Sequence, residues 1–126
     1  MIERLTSDKI PAAVGSYSAA SKVGHLIMTS GQLPINAATG KIDQPDSIEW
    51  QVHQSLSNIK AILEDNGSSM DAVVKTTVYL AHITDFAAFN AVYQTFFTHG
   101  FPARTAFEVG QLPMGALVEI EAIAEV

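Results

Sequence analysis

The sequence contains no cysteine. That absence removes disulfide bonds, thiolate metal ligands and a cysteine nucleophile together. Charge is scarce as well: Asp, Glu, Lys and Arg make up 16% of the 126 residues, against about 25% in an ordinary soluble domain. Positive charge is scarcest, with seven Lys and Arg against thirteen Asp and Glu and a formal net charge of −6. Nucleic-acid binding needs clustered cations to neutralise phosphates. Arg4, Lys9, Lys22, Lys41, Lys60, Lys75 and Arg104 stand apart along the chain, so a polyanion partner is not expected. Long apolar runs are missing too. A spanning helix needs about 20 mostly apolar residues, and the longest uncharged stretches, 23–40 and 86–103, are broken by Gly, Pro, Asn and His. Met1-Ile2-Glu3-Arg4 lacks the cationic start and apolar stretch of an export signal. The expected location is therefore the cytoplasm, with no membrane contact.

What the chain has in abundance is apolar residue, 48% of the total, with a mean hydropathy of +0.20. A chain this long buries only about two thirds of the surface its unfolded form exposes. Much of the remainder must be uncharged, which predicts an oligomer. Residues 1–126 read as a single domain, without repeat, linker or low-complexity tract.

Two segments carry helical periodicity. Ile48, Val52, Leu56, Ile59 and Leu63 recur at spacings of four and three, one apolar stripe. Asp46 or Ser47 can cap its start, Asp46 with Glu49 has capping-box spacing, and Gly67 suits its end. A second helix is predicted from Asp85 as N-cap, carrying Phe86, Phe89, Tyr93, Phe96 and Phe97 to a stop at Gly100 and Pro102. Its aromatics read as core. Strands are predicted over 16–22 and 25–32, paired around Val23-Gly24, and over 73–82, 104–110 and 117–125. The order β-β-α-β-α-β-β implies an α+β fold: one mixed sheet with two helices on one face and the other face open.

Alternation places Val118, Ile120, Ala122, Ala124 and Val126 under the helices and Glu119, Glu121, Ile123 and Glu125 on the open face. Arg104, Ala106 and Glu108 share one side of the preceding strand, expected to be the open face with the carboxylates. Between Asp85 and Glu119 the only charges are Arg104 and Glu108. Arg104 is thus either a clamp for a carboxylate or phosphate or a surface partner of Glu108. Glu119 is either a general base or a solvated strand residue like Glu121 and Glu125. His25, His53, His82 and His99 have no metal-site spacing, and there is no phosphate-binding glycine motif or G-x-S-x-G.

A set of blocks resembles the RidA/YjgF family. They are Ala13-Val14-Gly15-Ser16-Tyr17-Ser18, Thr29-Ser30-Gly31-Gln32-Leu33-Pro34, Val74-Lys75-Thr76-Thr77-Val78 and Phe89-Asn90-Ala91-Val92-Tyr93. Pro102-Ala103-Arg104-Thr105-Ala106-Phe107-Glu108-Val109, Leu112-Pro113 and Val118-Glu119-Ile120-Glu121-Ala122 complete it. The blocks lie in order and span essentially the whole chain. Departures from the family pattern are Ser16, Ala19, Thr105-Ala106 and a short loop before Pro102.

The resemblance implies a homotrimer folded like bacterial chorismate mutase, with active sites in clefts between subunits. It implies hydrolysis of reactive enamines and imines, such as 2-aminoacrylate and 2-iminobutyrate, to 2-keto acids and ammonia, as in a 2-iminobutanoate/2-iminopropanoate deaminase. Its ligand would be a small imine, enamine or 2-keto acid, and no metal or organic cofactor is implied. Carried over by position, Arg104 would hold the substrate carboxylate and Glu119 the water. Tyr17, Ser30, Gly31 and Asn90 would line the pocket, Tyr17 closing it, with Thr105 and Ala106 beside the arginine. Two other readings attach to the same residues: a non-catalytic module that binds a keto acid or regulates a partner, and a ribonuclease or translation inhibitor, which the acidic composition disfavours.

Overall fold

The apolar stripe does form the central helix. The computed structural model describes residues 1–126, and α1 runs Ile48–Asp65 with Val52, Leu56, Ile59, Ile62 and Leu63 fully buried. Each such side chain contributes roughly 1.5–3 kcal/mol of burial. Ser47, not Asp46, caps the helix: its side chain accepts the Trp50 N–H at 3.1 Å. Trp50 therefore holds the third helical position, and the Asp46–Glu49 box does not form. At the other end Gly67 adopts φ +86°, and the Ser68 N–H returns to the Leu63 carbonyl at 2.8 Å, the bond that closes a left-handed helix stop.

The strands are β1 Glu3–Leu5, β2 Ala20–Val23, β3 Leu26–Thr29, β4 Val73–Leu80, β5 Ala103–Glu108 and β6 Val118–Glu125, and α2 is Phe86–Tyr93. They form one sheet in the order β1-β2-β3-β6-β4-β5. Every pairing is antiparallel except β4 with β5, which α2 connects as a crossover. The expected α+β arrangement of one mixed sheet with two helices is present. Its boundaries differ: β4 stops at Leu80 rather than 82, β5 runs Ala103–Glu108 rather than 104–110, and β6 starts at Val118 rather than 117. Segment 16–22 pairs only from Ala20, and segment 25–32 pairs over 26–29, with Gln32 forming a separate bridge to Ile120. The edge strand β1 was not anticipated, because three residues are too few to show a period.

Asp85 precedes α2 without a side-chain capping bond, and regular helix ends at Tyr93 before a short tight turn over 94–96. Phe89, Tyr93 and Phe97 are buried and stack in a ladder, with ring centroids 5.2 Å and 4.9 Å apart. Phe96 turns the other way, against His53 at 5.3 Å.

The helices cover the face bearing Ile27, Val78, Leu80, Val118, Ile120, Ala122 and Ala124. Glu119, Glu121 and Ile123 oppose Tyr79, Thr77 and Lys75 on the open face. The placement of Arg104 there is corrected. Arg104, Ala106 and Glu108 stand opposite Thr76, Val78 and Leu80, on the helix face, while Thr105 and Phe107 stand opposite Thr77 and Tyr79 on the open one. Alternation says which residues share a side; only the register with β4 says which side that is. The open face also carries Val23, Leu26, Met28 and Phe107, each 37–44% exposed.

Candidate active site

Arg104 rises from the edge strand β5 beneath the rings of α2. Its guanidinium carbon lies 5.2, 5.5 and 4.9 Å from the centroids of Phe86, Phe89 and Tyr93, a range in which ring quadrupoles attract a cation. Nη1 donates to Asn90 Oδ1 at 2.7 Å, so the two turns of α2 supply both the rings and the polar tether. The Glu108 pairing does not occur. That carboxylate accepts the Ile83 N–H at 2.8 Å; the chain's Lys–carboxylate pair is Lys9–Asp65, and His99 bonds Asp71. Arg104 has no anionic partner. It faces a cleft of about 350 Å³ lined with Asn90, Tyr93, Gln94, Phe101 and Pro102. A half-buried guanidinium with free donors, desolvated by aromatics, has the chemistry to pair with a carboxylate.

Glu119 occupies the opposite face of the sheet, directly across from Tyr79 in β4. Partial burial, and then the neighbouring Glu121 charge, push its carboxyl above the ordinary range. Both causes disfavour the ionised form. Glu121 is itself held by the Tyr79 hydroxyl, which donates to Oε1 at 2.7 Å; that bond, with burial, raises the phenol to about 12.

Gly31 packs on the Glu119 carboxylate. A Cβ at this position would lie 2.2 Å from Glu119 Oε2, so no larger residue fits without displacing the acid. The segment is fixed from both sides: Ser30 N–H bonds the Ala19 carbonyl at 2.8 Å, and Gln32 N–H bonds the Ile120 carbonyl at 2.7 Å. The Ser30 hydroxyl donates to the Ser18 carbonyl at 2.5 Å. Between them the Gly31 N–H has no acceptor within the chain. A carboxylate and an unused backbone donor therefore lie side by side. Tyr17 is exposed; it and Gly31 line a second cleft of about 420 Å³. Its ring rests on Gly15, where a Cβ would approach Cε1 to 3.1 Å.

The expected site residues thus fall into two groups. Arg104 and Asn90 meet under α2, with Ala106 two residues along the same face. Glu119, Gly31 and Ser30 meet near the β3–β6 junction, with Tyr17 across the neighbouring cleft. Thr105 faces the open side, its hydroxyl accepting from Lys75 Nζ at 2.7 Å. The aromatic surround of Arg104 and the Tyr79–Glu121 bond were not foreseen. The first was visible as rings at positions 86, 89 and 93 ahead of a lone arginine; the second requires strand register. No group of three His, Asp or Glu side chains is arranged to hold a metal ion, and no helix is long and apolar enough to cross a membrane.

The family model described as endoribonuclease L-PSP matches residues 7–126. The chain belongs to the RidA/YjgF family. A RutC family protein of Sinorhizobium fredii is 48% identical over 98% of this chain and 97% of its own length. The 2-iminobutanoate/2-iminopropanoate deaminase of Escherichia coli is 43% identical over 98% of each. Among solved structures, the YjgF gene product of E. coli superposes with a TM-score of 0.92 at 43% identity, covering 98% of both chains. E. coli TdcF with bound serine gives 0.91 at 35% identity, again over 98% of both. The shared RidA/YjgF fold accounts for the mixed sheet and its two helices.

Proposed function

We propose that this protein hydrolyses reactive 2-imino acids, including those formed from 2-aminoacrylate, to 2-keto acids and ammonia, as a 2-iminobutanoate/2-iminopropanoate deaminase of the cytoplasm. The observation that carries the reading is the pair of half-sites: an arginine without an anion under α2, and a carboxylate of raised pKa beside an unused N–H. Within one chain they occupy opposite faces of the sheet, so one small substrate can engage both only between two copies. We therefore propose a homotrimer, assembled as in bacterial chorismate mutase, with its open sheet faces covered and each active site shared by neighbouring subunits. The exposed Val23, Leu26, Met28 and Phe107 support burial of that face.

In this arrangement the Arg104 fork binds the substrate carboxylate, and Asn90 holds the fork in place. Glu119 accepts a proton from water as its oxygen bonds to the imine carbon, giving a carbinolamine. That first proton passes to the nitrogen to complete the carbinolamine. The carbinolamine hydroxyl then gives its proton, through Glu119, to the nitrogen as the C–N bond breaks, the carbonyl forms and ammonia leaves. The balance is imine plus water to keto acid plus ammonia. The Gly31 N–H, with backbone groups at Thr105 and Ala106, is available to hold the reacting nitrogen or oxygen, while Ser30 braces that segment and Tyr17 closes the opening. General base catalysis of this kind typically supplies 10²–10⁴-fold.

The test is imine turnover, with imines generated by an L-amino-acid oxidase and unreacted imine trapped by semicarbazide. Arg104→Ala should lower kcat/KM by about 10²-fold, the scale of lost charge-assisted hydrogen bonds. Unchanged turnover would overturn the reading. Glu119→Ala should abolish turnover while a 2-keto acid still binds; loss of neither, or no turnover by the native protein, favours a binding or regulatory module. Cleavage of RNA by nuclease-free protein would favour the family's endoribonuclease description instead.

A further inference from the structure

We infer that the uncharged cleft beside Gly31 is the side-chain pocket of the same site, and that it favours 2-imino acids with apolar side chains larger than ethyl over the 2-iminopropanoate and 2-iminobutanoate that the site also turns over. The inference rests on the imine-hydrolysis reading. Three features of the cleft carry it.

The first is position. Gly31 is at once a wall of the cleft and the residue against which the Glu119 carboxylate packs. A carbon attacked by water held at Glu119 therefore sits close to that wall. With its carboxylate turned toward an arginine of another copy, the substrate's remaining substituent points either to solvent or into the cleft.

The second is chemistry and size. No charged residue lines the cleft, and Ile10, Val14, Leu33 and Ile35 are among its apolar walls. Its volume of about 420 Å³ falls within the roughly 300–1,000 Å³ of sites that enclose whole small molecules. A methyl or ethyl group leaves most of that space to water, whereas an isobutyl, thioether or benzyl group displaces it. By contrast, the Arg104 cleft, with Asn90, Gln94 and the guanidinium on its walls, suits the polar end of the molecule.

The third is the rim. Met114 lines the cleft with its backbone held at φ +60°, a left-handed conformation uncommon for a residue with a side chain. Strain of this sort persists where surrounding structure imposes it and concentrates at binding sites. Methionine is unbranched and polarizable and adapts to varied apolar shapes. A wall of this kind suits a family of side chains rather than one.

The experiment is a profile of kcat/KM for imines made by oxidising alanine, 2-aminobutyrate, leucine, methionine and phenylalanine. It is run on the native assembly and on Ala13→Trp and Ala37→Trp. Both alanines line the cleft, are exposed and take no part in the reaction, so the bulk enters the cleft without a demand on the core. Since one methylene in an apolar pocket is worth about 10-fold or more, the leucine imine should exceed the alanine imine by at least that factor. Either tryptophan should remove the excess, bringing the leucine imine down to the level of the alanine imine measured on the same variant. Equal rates across the series, or a preference that survives both substitutions, would overturn the pocket while leaving imine hydrolysis standing. If no imine is hydrolysed, the reading beneath it falls as well.

Discussion

Arg104 and Glu119 project from opposite faces of one sheet: Arg104 stands level with Thr76 on the helix side, and Glu119 stands level with Tyr79 on the open side. Strand alternation makes this separation rigid, since no rotamer carries a side chain through the sheet. Each half-site is nevertheless formed within a single chain. Arg104 is oriented by Asn90 and aromatic rings, and Glu119 by Gly31. Under the proposed function, joint action on one substrate is therefore a matter of how copies meet.

That relationship predicts complementation. Arg104→Ala and Glu119→Ala proteins, each strongly impaired alone, should exceed the sum of their separate activities when unfolded together and refolded as mixed assemblies. An active site contained in one chain would give no such excess.

Gly31→Ala tests the contact that seats Glu119. The added methyl would lie 2.2 Å from a carboxylate oxygen, the movable end of a half-buried side chain, so the clash is relieved by shifting the acid rather than by straining the core. The acid must swing aside. Displacement by about 1 Å can cost 10²-fold in rate, so kcat should fall by roughly that factor with only a modest loss in Tm. Native kcat in the alanine variant would show that Glu119 is not held there for the reaction.

The pH profile reports on Glu121. Burial and the Glu121 charge hold the Glu119 carboxyl above its ordinary 4.5, and a base works only when deprotonated. The limb on which activity falls with falling pH should therefore lie above the usual carboxylate range. Glu121→Gln removes one of the two causes, so that limb should move to lower pH. A limb that stays in place in the variant, measured as log kcat/KM against pH, would exclude Glu121 as a tuning group.

A third acid matters for stability rather than for turnover. Asp71 accepts the Thr98 N–H at 3.1 Å, the Thr98 hydroxyl at 2.8 Å and His99 Nδ1 at 2.9 Å. The histidine bond, then those from Thr98, pull the carboxyl from 3.8 down to about 2. A depressed carboxyl stabilises the fold above its unfolded pKa and loses that contribution as pH falls through the folded value. Asp71→Asn should lower Tm near neutral pH, and the gap between variant and native should close as pH approaches 2. A gap that is independent of pH would refute the linkage.

How much of this was legible in the chain depends on distance along it. The α1 stripe, Gly67 at its end and the isolation of Arg104 are local patterns, and each is visible within a few residues. The side of the sheet that Arg104 occupies is not local. It follows from the parallel register of β5 with β4, set by the crossover through α2 and by packing of the guanidinium under Phe86, Phe89 and Tyr93. The Gly31–Glu119 contact joins residues far apart in sequence, and nothing around Gly31 marks which acid it faces. The short strand β1 and the choice of Ser47 over Asp46 as cap turn on single hydrogen bonds, below the reach of composition or period.

The face-to-face separation of Arg104 and Glu119 also bears on how much work each chain can do. A catalyst completed only by a neighbour obeys mass action: on dilution, specific activity falls before any chain unfolds, and an excess of an inert but assembling copy poisons its partners. Turnover would then scale more steeply than linearly with the amount of protein made. For such a molecule abundance is itself a control on rate, written into the sheet by the parity of a single strand.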